Sequence, residues 1–380
     1  MKISVIELYR VALPFSGTGG SSDDTYKLSG GRTYTEFDAS IVRIVSDNGH
    51  QGWGESTPFG STYIAAHPAG TRAGIELLAP ALLGADPRAF ERINSVMDET
   101  LVGHNDARTA LDVACWDLTA RSFNVPAHLL LGGSTGQRMP VISSIYSGSP
   151  DEMRARVTQY RAKGFKGHSL KIGATESEGG PQLDAERIQA CVADREAGEF
   201  YLADASGGLT VESALRLQSL LPDSCDFVLE APCASWQETL MLRERCQVPI
   251  MLDELIQQDA DIVHAISTRA ADAIGLKISK AGGLTPARRQ RDICKAAGLT
   301  MSVQDTVGST IAFAAILQLA QTVPPQLLRC VLDVRGMVSL ATAELHAPVV
   351  DGGVMAPDAP GLGLDVDRAK LGEPVATWSL

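Results

Sequence analysis

The chain has 380 residues, of which 44% are hydrophobic, 21% charged and 5% aromatic, a composition typical of a globular α/β protein and unlike that of a disordered, collagen-like or membrane-embedded chain. Its formal net charge is −12, and no basic stripe with interleaved aromatics occurs, which argues against nucleic acid and acidic membrane surfaces as partners. A small-molecule partner is therefore expected.

Cysteine usage and the N-terminal segment both bear on the cellular compartment. The seven cysteines are scattered and include no Cys-x-x-Cys pair, which indicates reduced thiols and not a disulfide framework or a zinc site. The N-terminal run MKISVIELYRVALPF is interrupted by Glu7 and Arg10 before it reaches the length of a signal peptide. We therefore expect a cytoplasmic protein.

The first third of the chain contains strand patterns followed by helix patterns. Residues 1–13 and 38–55 show the period-2 alternation of strands, and the second run turns at the sequence DNG. Between them lies a Gly- and Ser-rich segment, which is typical of a flexible connector or, inside a compact domain, of a lid. Helical patterns follow over 70–83, 87–102 and 105–123.

From residue 140 onward, short apolar runs alternate with helical patterns. Central residues of these runs recur every 23 to 33 positions, at 145, 171, 204, 230, 253, 277, 304 and 331. Eight units of this length, with near-continuous apolar strands, predict a closed parallel (β/α)8 barrel. A doubly wound open sheet is the alternative, but it typically has fewer strands and often a Gly-rich phosphate turn, and the sequence has no G-x-G-x-x-G. The turn-rich C-terminal 45 residues are expected to fold back on the N-terminal part.

Three carboxylates lie near the ends of three consecutive predicted strands, where barrel enzymes build their sites. Asp204, Glu230 and Asp253 each follow two or three apolar residues. Any one of them could be a helix cap or a surface ion pair. Together they would place about three negative charges in a poorly solvated centre, which requires a cation. Hard oxygen ligands from separate strands favour Mg²⁺.

Two lysines occur in nearly the same apolar context, Lys171 in SLKIG and Lys277 in GLKIS. A single strand lysine is most often an edge residue whose amine reaches solvent. These two fall on the second and sixth predicted strands, which are opposite each other in an eight-stranded barrel. An amine near Mg²⁺ and partly desolvated is expected to have a lowered pKa and to act as a general base toward a proton α to a carboxylate.

These residues resemble the enolase superfamily, and within it the muconate lactonizing enzyme subgroup of the mandelate racemase/muconate lactonizing enzyme family. The resemblance covers essentially the whole chain and is carried by GWGES, ARTALDVACWDLTARSFNVPAHLLLGG, LEAPC, MLDE and GLKISKAGGLT in this order and spacing. It implies a (β/α)8 barrel over residues 126–335 and an α+β capping domain over 1–125, with lid loops near 16–36 and 53–63. The segment 336–380 would return to complete the capping domain.

The resemblance also implies roles for individual residues. Asp204, Glu230 and Asp253 would bind Mg²⁺, Lys171 and Lys277 would be the acid/base pair, and Glu254 would support the metal ligands. Two positions depart from the family's pattern. The second strand usually reads Lys-x-Lys, whereas this chain has Ser169 in place of the first lysine. The third strand usually reads Asp-x-Asn, whereas this chain has Asp204-Ala205-Ser206. The lost lysine normally helps to hold the substrate carboxylate, so another group must do so.

The stretches GWGESTPFGSTYIAAHPAGTRAG, which contains Tyr63, and GHNDARTALD resemble family members that act on proline derivatives, namely hydroxyproline betaine epimerases and cis-3-hydroxy-L-proline dehydratases. Tyr63 is accordingly expected to contact substrate. A quaternary betaine would require an aromatic cage, and the four tryptophans offer little for one. Asp305 and Asp333 could pair with a protonated ring amine, or either could cap a helix.

Dehydration of a 3-hydroxyproline is the favoured reaction, because opposed lysines could serve as base and leaving-group acid. The alternative is racemisation or epimerisation of a proline derivative, an amino acid or a dipeptide by two-base 1,1-proton transfer. More remote alternatives are a Schiff-base aldolase and a non-catalytic barrel. A homo-oligomer is also expected.

Overall fold

The computed structural model describes residues 1–16, 25–28 and 31–380. Much of the first predicted lid loop, residues 17–24 and 29–30, therefore lies outside the described residues. The N-terminal elements are β1 (Ile3–Pro14), β2 (Tyr26–Lys27), β3 (Thr33–Tyr34), β4 (Glu36–Ser46), β5 (Gln51–Ser56), α1 (Pro68–Leu82), α2 (Phe90–Thr100), α3 (Asn105–Ser122) and α4 (Ala127–Leu131).

The central elements alternate between strand and helix. They are β6 (Met139–Ile145), α5 (Pro150–Ala162), β7 (Gly167–Lys171), α6 (Gly180–Val192), β8 (Phe200–Asp204), α7 (Val211–Leu220), β9 (Val228–Glu230), α8 (Trp236–Arg243), β10 (Ile250–Leu252), α9 (Asp259–Thr268), β11 (Ala273–Lys277), α10 (Ile278–Ala281), α11 (Leu284–Ala297), β12 (Thr300–Gln304), α12 (Thr310–Ala320) and β13 (Leu328–Leu332). The C-terminal elements are β14 (Ala343–Leu345), β15 (Gly353–Val354), β16 (Leu364–Val366), α13 (Arg368–Leu371) and β17 (Ala376–Ser379).

The strands β6 to β13 form a closed parallel barrel. They are hydrogen-bonded in sequence order, and β13 pairs with β6 to close the ring. The barrel predicted from the eight-fold repeat is thus confirmed. Because the strands are parallel and covered by helices, their carboxyl ends meet at one face of the barrel.

No helix within the described parts of the chain combines the length and apolar character needed to cross a membrane.

The N-terminal sheet is completed by the end of the chain. Its order is β17-β1-β4-β5, and all of its pairings are antiparallel. Ile6 of β1 lies opposite both Ile44 of β4 and Trp378 of β17. The expectation that the C-terminal segment completes the capping domain is therefore confirmed.

Helix α3 packs directly on β5 because two glycines lie at the contact. A Cβ atom added to Gly54 would lie 2.1 Å from the carbonyl oxygen of Ala110, and one added to Gly52 would lie 2.3 Å from that of Ala114. Real Cβ atoms cannot approach backbone so closely, so only glycine allows this separation. The close packing fixes α3 against the sheet.

Helix α12 joins the capping domain to the barrel. Its sequence TIAFAAILQLA is buried along the whole helix, as expected for a helix that is apolar on all sides. At its N-terminus, the carboxylate of Glu55 accepts hydrogen bonds from the backbone N–H of Ser309 at 2.8 Å and of Ala312 at 3.2 Å. Since Glu55 belongs to β5, these bonds hold the capping domain over the carboxyl ends of the barrel strands.

Candidate active site

A small cavity, called here the inner cavity, lies where the capping domain meets the carboxyl ends of the barrel strands. Its volume is about 30 Å³, room for about two water molecules. Its polar lining comes from the barrel: Ser169, Lys171, Asp204, Glu230, Lys277, Gln304 and Asp305. Its aromatic lining comes from the segments predicted as lids: Tyr26, Phe59 and Tyr63.

Lys171 is the last residue of β7, and its buried amine hydrogen-bonds to the carboxylate of Asp204, the last residue of β8. The same amine also donates to the hydroxyl of Ser206 at 3.2 Å. The backbone N–H of Ser206 donates to the other oxygen of Asp204 at 2.8 Å. Burial alone lowers the pKa of the Lys171 amine, but the charge of Asp204 outweighs it and the net pKa is raised.

Lys277 is the last residue of β11, four strands from β7 in the ring of eight. Its amine lies 2.5 Å from Oδ2 of Asp253 and also donates to the hydroxyl of Tyr63. Burial lowers the pKa of Lys277, yet the nearby carboxylate of Asp253 makes the net shift upward. The lowered lysine pKa expected from the sequence is therefore not found in this arrangement, because carboxylates are the nearest charges to both amines.

A third lysine takes part in the site and was missed by sequence reasoning. The amine of Lys280 lies 2.5 Å from Oδ1 of Asp253. Burial lowers its pKa, and the neighbouring Lys277 lowers it further. For Asp253, burial raises the pKa, but Lys277 and Lys280 together bring it well below its usual range. The available signal was the sequence KISK, in which Lys277 ends β11 and Lys280 follows three residues later in the short helix α10.

Glu230 lies between the two lysine-bound acids. It is the last residue of β9 and directly opposite Asp204 of β8. Gln304 donates a hydrogen bond to its Oε1 at 3.2 Å. Burial raises the pKa of Glu230 well above its usual range, and repulsion from Asp204 and Asp253 raises it further. The site thus holds a carboxyl group whose charge has no adequate counter-ion among its direct contacts.

The donor set fits a hard divalent cation. As they stand, no three His, Cys, Asp or Glu side chains among the described residues are close enough together to hold a metal, and Asp204 and Asp253 are bonded to lysines. Three carboxylates nevertheless lie at the ends of adjacent strands, and they repel each other. Both carboxylate oxygens of Glu254 are buried without a hydrogen-bond partner in the described structure. Oxygen donors and unbalanced negative charge are what Mg²⁺ requires.

The remaining predicted residues fall into two groups. Ser169 and Asp305 line the inner cavity, and Asp305 accepts from the backbone N–H of Thr306 at 2.7 Å. Asp333 lies outside that lining. Its carboxylate caps the short turn Val334–Met337 and pairs with the Arg335 guanidinium at 2.7 Å, so the geometry agrees with the capping alternative for Asp333. Glu254 also lies outside the lining of the inner cavity and lines a neighbouring pocket together with Thr62 and Ser206.

An aromatic wall on the capping side was not recognised from the sequence. The ring centroids of Tyr26 and Phe59 are 5.1 Å apart, and those of Phe59 and Tyr63 are 5.3 Å apart. The Tyr26 hydroxyl lies 2.9 Å from the hydroxyl of Ser144 on β6, which ties the wall to the barrel. In the described structure no tryptophan lines the cavity. The wall consists of tyrosine and phenylalanine.

Comparison with known proteins agrees with this architecture. A family model described as "Enolase C-terminal domain-like" matches residues 152–370. A second model, described as "Mandelate racemase / muconate lactonizing enzyme, N-terminal domain", matches residues 28–132. The two matches lie mainly on the barrel and on the capping domain, respectively.

Individual relatives are similar over nearly the full chain. The cis-3-hydroxy-L-proline dehydratase of Roseibium aggregatum is 35% identical over 379 residues, covering 100% of both chains. The hydrophobic dipeptide epimerase of Enterococcus faecalis is 30% identical, covering 92% of this chain and 95% of that one. A crystal structure from Roseovarius nubinhibens ISM is described as a putative mandelate racemase/muconate lactonizing enzyme complexed with magnesium. Its chain is 59% identical to this one, with a TM-score of 0.96, and the match covers 100% of both chains.

Proposed function

The chain belongs to the mandelate racemase/muconate lactonizing enzyme family of the enolase superfamily, and on this premise we propose that it is an Mg²⁺-dependent dehydratase of a 3-hydroxyproline. Dehydration and epimerisation, the activities named for the two relatives above, can both begin with removal of a proton α to a carboxylate. One observation carries the proposal: two buried lysines on opposite strands face one cavity together with Asp204 and Glu230, and the Lys277 amine contacts Asp253 behind the lining. Such a pair can reach both faces of a bound acid.

Five charged residues have defined tasks in this proposal. Asp204, Glu230 and Asp253 would hold Mg²⁺, which when bound would supply positive charge beside the substrate carboxylate as the α-proton leaves. One of Lys171 and Lys277, in its neutral form, takes the α-proton. The other, in its protonated form, faces the opposite side of the substrate.

Elimination of water follows from this placement. In cis-3-hydroxy-L-proline the α-hydrogen and the 3-hydroxyl lie on opposite faces of the ring. The electron pair of the Cα–H bond becomes the Cα–C3 double bond as the C3–O bond breaks, and the second lysine gives its proton to the departing hydroxide. The products are water and an unsaturated ring acid. The similarity to the Roseibium dehydratase over the full chain supports this reaction.

Epimerisation is the second candidate. The same two lysines can remove the α-proton from one face and return one to the other, with no bond broken to C3. The similarity to the hydrophobic dipeptide epimerase favours keeping this alternative. The two reactions differ in whether water is lost.

The test is incubation of the enzyme with Mg²⁺ and a panel of proline derivatives, amino acids and dipeptides in D₂O, followed by proton NMR. We expect cis-3-hydroxy-L-proline to lose its C3 hydroxyl. Exchange or inversion at the α-carbon without loss of water would contradict dehydration and establish epimerisation. Activity that survives EDTA, with substrate trapped on a lysine by borohydride, would instead identify a Schiff-base aldolase.

A further inference from the structure

A second space adjoins the inner cavity, and one side chain stands between the two. This outer pocket has a volume of about 420 Å³ and is lined by Thr62 of the capping domain and by Gly173, Ser206 and Gly207 after strands β7 and β8. Among the described residues that line the two spaces, Tyr63 is the one that they share. Its ring therefore forms the boundary between them.

Contacts on both sides fix the Tyr63 ring in this position. Its hydroxyl accepts a hydrogen bond from the Lys277 amine and donates one to Oδ2 of Asp253 at 3.3 Å. The amine of Lys277 lies 4.9 Å from the ring centroid, as expected for an amine bonded at the hydroxyl. The ring itself packs against Phe59, with centroids 5.3 Å apart. A ring bonded through its hydroxyl and packed against a second ring is held in place.

The boundary limits the length of a substrate. The α-carbon must lie between Lys171 and Lys277, which are in the inner cavity, and the apolar walls of that cavity are Leu28, Ile142 and Leu202. The inner cavity is small, about 30 Å³ against about 420 Å³ for the outer pocket, so the group that binds between the lysines must be compact. An acyl or aminoacyl group on the substrate nitrogen needs additional volume, and the adjoining volume lies beyond Tyr63.

We propose that Tyr63 restricts this enzyme to compact amino acids with an unsubstituted nitrogen, and that removal of its ring joins the two spaces and admits N-acyl amino acids. The proposal rests on the proposed function in that it places the substrate between the two lysines. It assigns to Tyr63 a role in selecting substrates in addition to its contact with Lys277.

The test measures binding, which does not require turnover. Calorimetric titration with N-acetyl-L-proline, in the presence of Mg²⁺, compares the wild type with Tyr63→Ala and Tyr63→Phe. We expect Tyr63→Ala to bind N-acetyl-L-proline at least tenfold more tightly than the wild type does. Tyr63→Phe keeps the ring and should exclude the probe as the wild type does. Tyr63→Leu, which retains an apolar contact with Phe59, replaces the alanine variant if that variant does not fold.

Equal binding by the wild type and the ring-deleted variants would overturn the proposal, and so would no binding by Tyr63→Ala and Tyr63→Leu. Tight binding by Tyr63→Phe would also overturn it, since the hydroxyl and not the ring would then be the barrier. A parallel proton NMR measurement of water loss from cis-3-hydroxy-L-proline separates this proposal from the proposed reaction. Widened binding of N-acetyl-L-proline without water loss from cis-3-hydroxy-L-proline refutes the reaction and supports the role of Tyr63, whereas water loss without widened binding does the reverse.

Discussion

The buried amines of Lys171 and Lys277 differ from surface lysines in that each is bonded to a carboxylate on the next or previous strand. Replacement of either by alanine should slow α-proton exchange of the substrate by about 10²- to 10⁴-fold, the usual contribution of a general acid or base. NMR in D₂O measures this rate. Lys295→Ala, which removes an exposed amine on α11, is the matched control and should leave the rate unchanged. Exchange at the wild-type rate in both active-site variants would refute the two-lysine assignment.

Among the three proposed metal ligands, Glu230 has no lysine partner in the described structure, whereas Asp204 and Asp253 are each bonded to a lysine. Loss of the Glu230 charge should therefore weaken metal binding most directly. Glu230→Gln should bind Mg²⁺ at least about tenfold more weakly, a change of about 1.4 kcal/mol, as measured by titration calorimetry after dialysis against EDTA. The exposed Glu76 provides the control variant Glu76→Gln, which should bind Mg²⁺ as the wild type does. Unchanged affinity in Glu230→Gln would show that the cation lies elsewhere.

Individual site residues could be predicted only where the repeat of the barrel places them. The positions of Asp204, Glu230 and Lys277 were predictable because each ends a strand and parallel strands end at one face; their roles stay a prediction. Tyr26 could not be found, because its contact with Ser144 joins residues 118 positions apart. Such a contact depends on the docking of two domains, and no local pattern encodes it.

At the level of elements, the contact between β5 and α3 depends on the absence of a side chain. Gly54→Ala should destabilise the protein by about 3 kcal/mol or more, because the new Cβ meets backbone of α3 that cannot move aside. Urea unfolding measures the loss. Gly49→Ala is the control: its Cβ would meet open space, but φ is +85°, so a smaller cost of about 1–2 kcal/mol is expected. Equal losses in the two variants would contradict the close packing.

At the opposite end of the barrel, Glu199 joins helix α5 to strand β8. Its carboxylate accepts from Arg161 at 2.6 Å and from the hydroxyl of Tyr201 at 2.7 Å. Burial raises the pKa of Glu199, but Arg161 and the other donors bring it down to about 2 from 4.5. Since the folded state lowers this pKa, the carboxylate stabilises the fold above pH 4.5, and the contribution is lost as the pH falls toward 2.

The difference in unfolding free energy between the wild type and Glu199→Gln should accordingly be largest at pH 6–7 and shrink below about pH 4.5. Denaturant titrations between pH 3.5 and 7 give this difference at each pH. Glu76→Gln serves again as the exposed control and should show little pH dependence relative to the wild type. A difference that grows on acidification would contradict the lowered pKa.

The barrel strands were predictable as elements because their units repeat at nearly constant length. Gln304 and Lys277 were placed in their strands from spacing, and each is the last residue of its strand. Strand β15, which pairs antiparallel with β6, was not predicted. It has two residues, and so short a run carries no periodicity; its pairing is set by the path of the returning chain.

At the scale of the whole molecule, both ends of the chain belong to one sheet. Truncation after Leu371 removes β17 and exposes one edge of β1, so we expect a lower thermal unfolding temperature and some aggregation through the open edge. A chain ending at Ser379 keeps all of β17 and is the control. Calorimetry and light scattering measure the two effects. A truncated chain as stable as the control would show that β17 is dispensable.

The expected homo-oligomer remains a prediction, which light scattering of the intact chain would test.

The pairing of β17 with β1 also brings the two termini together: Val5 lies opposite Ser379, and the N–H of Leu380 bonds to the carbonyl oxygen of Ser4 at 3.1 Å. A few glycine and serine residues could therefore join the last residue to the first and make a circular chain. Such a chain could be reopened at an exposed loop such as the one at Gly198. The circular permutant would carry new ends at the bottom of the barrel, far from the lysines, where a fusion partner or a surface tether could be attached.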